Sequence, residues 1–200
     1  MAARVDHEER RTQIAEALLR IADTQGLQSA SMRAVAAEAG VSLRLVQYYF
    51  TTKEALLLDA LARLQSQLQG RMNAWIAAAG APPTPRSVVT AILSCIVPTD
   101  AESSRIARTY NGYYTLVLND PDVLEKHGAA QPAVLEGFLA RQIRAAQQTG
   151  EVAADKDPEL ITAGLLAMVN GLGSSVLGGQ RSGEDALAIL RYYLDTTLFT

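Results

Sequence analysis

The densest run of chemically versatile side chains lies between residues 44 and 53, where Arg44, Gln47, Tyr48, Tyr49 and Lys53 follow one another closely. An Arg guanidinium can fork onto guanine O6 and N7, and a Gln amide onto adenine N6 and N7. Tyrosine hydroxyls and a lysine ammonium suit phosphate oxygens, which position a protein on a duplex without reading sequence. Just upstream, backbone N–H groups at a helix starting from Ser31 could hold another phosphate, helped by Arg33. Catalytic groups are sparse by comparison. His7 and His127 are the only imidazoles, His7 in an N-terminal arm and His127 in a turn, and no Glu-x-x-His or His-x-x-x-His pair offers a metal site. Cys95 sits in the apolar run Ala91-Ile92-Leu93-Ser94-Cys95-Ile96-Val97 with no neighbouring base, so a buried thiol is expected rather than a nucleophile. Neither an enzyme nor a cofactor is expected.

The elements that must carry these groups read as helices. Apolar residues recur with helical spacing along nearly the whole chain, and no hairpin signal of the Asn-Gly type separates alternating runs. A first helix follows Asp6-His7-Glu8-Glu9, a start resembling a capping box, buries Ile14, Leu18 and Ile21, and stops at Gly26. Ser31 caps a short second helix that buries Met32, Val35, Ala36 and Ala39 and ends at Gly40. Ser42 caps a third that runs toward Phe50. Val35, Ala36, Ala39, Val41, Val46 and Phe50 form the inner face, leaving Leu43, Arg44, Gln47, Tyr48 and Tyr49 outward. Two short helices joined by a Gly-containing turn meet steeply and expose the second for a major groove. A long helix from Lys53 to about Ala79 follows, then a break at Gly80-Ala81-Pro82-Pro83-Thr84-Pro85. Helices are expected at about 86–97, 102–118, 131–148, 158–178 and 183–198, so the fold class is all-α.

Composition sets the wider bounds. With 48% hydrophobic and 20% charged residues the chain has ample apolar side chain for a core. The net charge of −3 does not advertise a nucleic-acid binder. Residues 1–53, however, hold 7 Lys+Arg against 6 Asp+Glu, a net of +1, and the remaining 11 against 15 give −4. No apolar core of a secretory signal precedes the first helix, which points to the cytoplasm. The stretch between Glu159 and Arg181 is free of charge, but its five glycines and its Thr, Asn and Ser residues dilute it. A packed helix of a protein that does not enter a membrane is expected there.

Taken together, Ser31, Arg33, Ala36, Gly40-Val41-Ser42, Tyr48-Tyr49-Phe50, Lys53-Glu54 and Leu56-Leu57 resemble the N-terminal domain of the TetR family of bacterial transcriptional repressors. The resemblance covers about residues 8–68. Gln47 stands where the family more often carries Tyr, and Arg44 where a small residue is common. The resemblance implies a helix-turn-helix DNA-binding domain over residues 1–53, continuing into the linking helix to about 68. It also implies a helical effector-binding and dimerisation domain over 54–200. Ser31, Arg33, Ser42, Leu43, Arg44, Gln47, Tyr48, Tyr49 and Lys53 are the DNA-binding candidates. A repressor that releases its operator when a small molecule binds is the function it implies.

A reader this small touches too little DNA alone, so two copies on a pseudo-palindromic double-stranded DNA operator are expected. Helices near 158–178 and 183–198 are the expected homodimer surface. The first carries two apolar stripes, Ile161-Leu165-Met168-Leu172 and Leu166-Val169-Gly173-Leu177, and the second carries Leu187, Leu190, Leu194 and Leu198. The family's small-molecule effector cavity would be lined by Leu68, Met72, Trp75, Arg108, Tyr110, Asn111, Tyr113, Tyr114, Phe138, Gln142 and Asn170. The long helix from Lys53 to Trp75 would link that cavity to the DNA.

Overall fold

The computed structural model describes residues 2–119 and 132–199, which places His127 and its expected turn outside the described residues. Among the described residues the regular structure is helical: α1 (Ala2–Gln25), α2 (Met32–Glu38), α3 (Leu43–Tyr49), α4 (Lys53–Ala78), α5 (Pro85–Ile96), α6 (Ala101–Asn119), α7 (Pro132–Gln148), α8 (Pro158–Leu177) and α9 (Gly183–Tyr193). The chain divides into two compact units, one of Met1–Leu68 with Arg108–Asn119, the other of Gln69–Ala107 with Asp120–Thr200. Both α4 and α6 therefore contribute residues to each unit.

In the first unit α1 buries Ile14, Ala15, Leu18, Leu19, Ile21 and Ala22, so its central turns are covered on more than one side. It begins at Ala2 rather than after Asp6. Ala2, Ala3 and Arg4 are good helix formers, and no Pro or Gly stops the helix from propagating back through them. His7 thus lies within a helix and not in an arm. Gly26 ends α1 with φ 82°, a region that glycine enters without a Cβ penalty. The chain then makes a 3₁₀ turn, Leu27–Ser29, which buries Leu27. On α6, Gly112 lies so close to this turn that a Cβ there would stand 3.1 Å from that of Leu27. One turn of helix earlier Arg108 Nε donates to Asp23 Oδ1 of α1 at 2.7 Å.

The second unit is built around α5, which buries Val88, Val89, Ala91, Ile92, Leu93, Ser94 and Cys95. Thr84 and Ser87 cap its start reciprocally, with Pro85 in the first turn where its missing N–H costs nothing. Helices α7, α8 and α9 pack against it, and they bury Leu139, Ala140, Ile143, Val169, Leu172, Ala186 and Leu190. Arg71 on α4 donates to Asp100 Oδ2 at 2.8 Å and to Glu102 Oε2 at 2.6 Å. The helix expected over 183–198 is α-helical only to Tyr193, and Leu194–Leu198 form a π-turn. The Phe199 N–H bonds to Leu194 O at 2.9 Å, while Lys156 Nζ donates to the carbonyls of Thr197 and Leu198. That ammonium satisfies carbonyls which an α-helix would otherwise leave unpaired at its end.

Helix α8 is the one described helix long and apolar enough to cross a membrane by length and composition. Its buried side is Thr162, Val169, Leu172 and Gly173. Its opposite side, Leu160, Ala163, Gly164, Ala167, Asn170, Gly171 and Ser174, is exposed in the protomer and mostly small. Leu172 and Leu194, expected at a dimer surface, are 7% and 1% exposed within a single chain. The expected two-sided helix is thus apolar toward its own protomer and small-residued on its free face.

Candidate nucleic-acid interface

Two capped helices and one sharp turn hold the reader. Ser31 Oγ accepts from the Ala34 N–H at 3.1 Å, starting α2. Gly40 turns the chain with φ 66°, and the Val41 N–H returns to Ala36 O at 3.0 Å. Ser42 Oγ then accepts from the Leu45 N–H at 3.1 Å, starting α3. Each cap satisfies a backbone donor that the helix cannot satisfy itself, an interaction typically worth about 1 kcal/mol. Val35, Ala36, Ala39, Val46 and Phe50 are buried as expected. Met32 and Val41 are only half-buried, because they lie at the start of α2 and in the turn rather than on the faces where the helices meet.

With that side fixed, α3 turns the rest of its surface to solvent. Arg44, Gln47 and Tyr48 are exposed, Tyr48 to 71%, while Leu43 and Tyr49 are half-buried. Ser31, Arg33, Ser42 and Lys53 are exposed as well. Lys53 opens α4, where the Thr52 hydroxyl caps the helix by accepting from the Ala55 N–H at 3.0 Å. A helix of seven residues thus presents a forked cation, an amide and a phenol side by side, the set needed to read base edges and hold backbone.

Two residues of α1 brace the end of α3 and were not anticipated. The His7 ring meets Tyr49 edge-on at 4.6 Å and Tyr48 at 6.4 Å, and the two tyrosines meet each other at 5.1 Å. Four residues on, Arg11 places its guanidinium 4.5 Å from the Phe50 ring centroid and donates Nη1 to Tyr49 O at 3.3 Å. Their i, i+4 spacing on one helix face is the sequence signal that could have found them. Arg11 also pairs with Asp59. Burial alone raises the Asp59 pKa, but hydrogen bonds from Arg11 and Arg63 outweigh it and hold the carboxyl below its ordinary value.

The effector candidates fall into both units, Leu68, Arg108, Tyr110, Asn111, Tyr113 and Tyr114 in the first and Met72, Trp75, Phe138, Gln142 and Asn170 in the second. Arg108 is committed to Asp23, and Asn111 and Tyr114 are exposed. Tyr113 is buried and lies 6.3 Å from the Tyr114 ring. Burial, with a smaller effect from Tyr114, pushes the Tyr110 phenol up to about 12, so it stays a hydrogen-bond donor at any physiological pH. In the second unit Met72 is buried, Trp75, Phe138 and Gln142 are half-buried, and Asn170 lies on the exposed face of α8.

Comparison with known proteins agrees with this layout. Residues 14–60 match the model of the bacterial regulatory proteins of the tetR family, and residues 85–198 match the C-terminal domain of BetI-type transcriptional repressors. The transcriptional regulator PksA of Bacillus subtilis is 30% identical over 172 residues, which cover 86% of this chain and 80% of PksA. A Rhodococcus sp. structure assigned to the TetR family superposes with a TM-score of 0.81 at 25% identity, covering 96% of this chain and 99% of its own. A transcriptional regulator from Saccharomonospora viridis, solved in complex with choline, gives 0.82 at 22% identity over the same shares. With a matched N-terminal domain and a matched C-terminal domain that spans more than half of the chain, the protein belongs to the TetR family and is a DNA-binding transcriptional regulator of the BetI repressor type.

Proposed function

We propose that the protein acts in the bacterial cytoplasm as a homodimer that binds a pseudo-palindromic operator and leaves it when a small molecule occupies the C-terminal domain. The observation that carries the DNA half of this reading is α3, capped by Ser42, pinned by Val46 and Phe50, and open to solvent at Arg44, Gln47 and Tyr48. Arg44 and Gln47 read bases, while Lys53, Arg33 and the Tyr48 hydroxyl hold phosphate. The free face of α8 supports the homodimer. Its small residues let a second backbone approach closely, and Tyr192 and Tyr193, 63% and 48% exposed on α9, supply further aromatic surface.

The effector half rests on the second unit. Trp75 and Phe138 are its half-buried aromatic residues on α4 and α7, with Gln142 one turn beyond Phe138 as a hydrogen-bonding partner. Because a similar regulator is found with choline, choline is the first ligand to try, and rings such as Trp75 suit a quaternary ammonium. An effector releases the operator only to the extent that it prefers the non-DNA state, with usual couplings of about 1–3 kcal/mol, or roughly 5- to 150-fold in affinity.

The test is a mobility shift on duplex from upstream of the protein's own gene, competed with unrelated duplex, followed by titration with choline and other small cations. Retarded operator that unrelated DNA fails to compete away, and that an effector frees, supports the reading. Equal competition by unrelated DNA would refute operator recognition. An effector that still frees operator from a Trp75→Ala protein at unchanged concentration would place its site away from Trp75.

A further inference from the structure

Behind the reading helix, one carboxylate ties two other helices together. Asp59, on α4 and only 18% exposed at its side chain, accepts from Arg11 Nη2 at 2.5 Å through Oδ1 and from Arg63 Nε at 2.8 Å through Oδ2. Arg63 continues across to α1, donating to Thr12 Oγ1 at 2.7 Å and to Glu8 Oε1 at 2.5 Å. Arg11 is thereby held from one side, and it spends its remaining surface on α3. Its Nη1 donates to the carbonyl of Tyr49, the last residue of α3, and its guanidinium carbon lies over the ring of Phe50, the C-cap.

The two ends of α3 are fixed by different means. Ser42 fixes the first turn, and the buried side chains of Val46 and Phe50 fix the inner face. Apolar packing is non-directional, and a helix of two turns held in this way can still tilt at its C-terminal end. A guanidinium is a rigid planar fork. One that is locked by a carboxylate and donates to the end of a helix gives that end a direction as well as a position. Bidentate contacts to a base fail when donor and acceptor separate by a few tenths of an ångström or lose alignment, so the aim of Arg44 and Gln47 depends on that direction.

We infer that Asp59 and Arg11 are positioning residues for operator reading, Asp59 acting through Arg11 to set the pose of α3 without touching DNA. The inference rests on α3 being the reading helix. It makes discrimination between sequences, rather than attraction to DNA in general, the property that the pair controls. Arg11 cannot be replaced by Lys in this role, since one ammonium cannot reach the carboxylate, bond the Tyr49 carbonyl and sit over Phe50 at once.

The experiment starts from an operator selected by the wild-type protein from a pool of random duplexes. Dissociation constants for that operator and for an unrelated duplex of equal length are measured at one salt concentration. The proteins are the wild type, Asp59→Asn, Arg11→Lys and the double variant, with thermal melting of each. The ratio of the two constants is expected to fall about tenfold in each single variant while the unrelated duplex binds within about twofold of wild type. The double variant should lose no more than the worse single, because both break one clamp. Arg11→Lys keeps the cation, so general attraction to phosphate is preserved in it and it decides the matter if Asp59→Asn does not fold. An unchanged ratio in a folded variant overturns the inference, as does a fall in binding to both duplexes alike. If the wild type selects no preferred sequence, the assignment of α3 as the reader fails instead.

Discussion

Arg44, Gln47 and Lys53 stand close in sequence but are suited to different work. The first two are exposed on α3, where a forked cation and an amide can match base edges, whereas Lys53 opens α4 as a point charge beside the reader. Lys53→Ala should therefore weaken binding to all duplexes alike and lower the slope of log affinity against log salt by about 1 per protomer, or about 2 for the dimer. Titrations at several salt concentrations check this, and a loss confined to the operator would reassign Lys53 to base reading. The caps and punctuation of this region were legible from residue types: Ser31, Gly40, Ser42 and Gly26 all sit where their side chains or their positive φ are needed. The Arg11 contacts with Asp59 and Tyr49 were not legible, because partners 48 and 38 residues away leave no periodic trace in the sequence.

Each helix was readable where one face was apolar and the other polar, and less so where the environment decides. Helix α1 extends back to Ala2 because nothing in its first residues stops it, and the last turn of the chain widens to a π-turn around the Lys156 ammonium. The end of α6 shows the same limit. Tyr110, Asn111, Tyr113 and Tyr114 read as a polar-aromatic cluster, yet Gly112 and Arg108 between and before them bring the helix against Leu27 and Asp23. Electrostatics at the start of α6 lend themselves to a pH test. Hydrogen bonds from the Ser103 backbone, and then from Arg71, hold Asp100 at about 2 against its ordinary 3.8. A depressed carboxyl stabilises the fold fully above its unfolded value and loses that contribution as pH falls through the folded one. Wild type should accordingly be more stable than Asp100→Asn at neutral pH, with the gap closing as pH falls from about 4 toward 2. Urea midpoints across that range measure it. A gap independent of pH would mean that shape, and not charge, is what Asn fails to supply. Because Asp100 is half exposed, solvent screening keeps the effect small.

For the whole molecule, α8 decides what a dimer test must look like. Charges placed at Leu172 or Leu194 would unfold the protomer, since both are buried within it. Ala167 lies on the free face of small residues. Ala167→Arg should leave the melting of secondary structure at low concentration intact while shifting sedimentation toward monomer and weakening operator binding. A dimer of unchanged affinity would move the interface off this face. DNA recognition by α3 remains the claim on which assembly and regulation both depend. It is tested most directly by titrating wild type and Arg44→Ala against the selected operator and against each single base-pair change in it. The wild type is expected to lose about 1–3 kcal/mol for a single change at one position of either half-site, and Arg44→Ala, which removes the contact from both half-sites, to bind the unchanged operator more weakly by roughly twice that amount and no longer to distinguish bases there. An Arg44→Ala protein with the full wild-type pattern of base preference would contradict it.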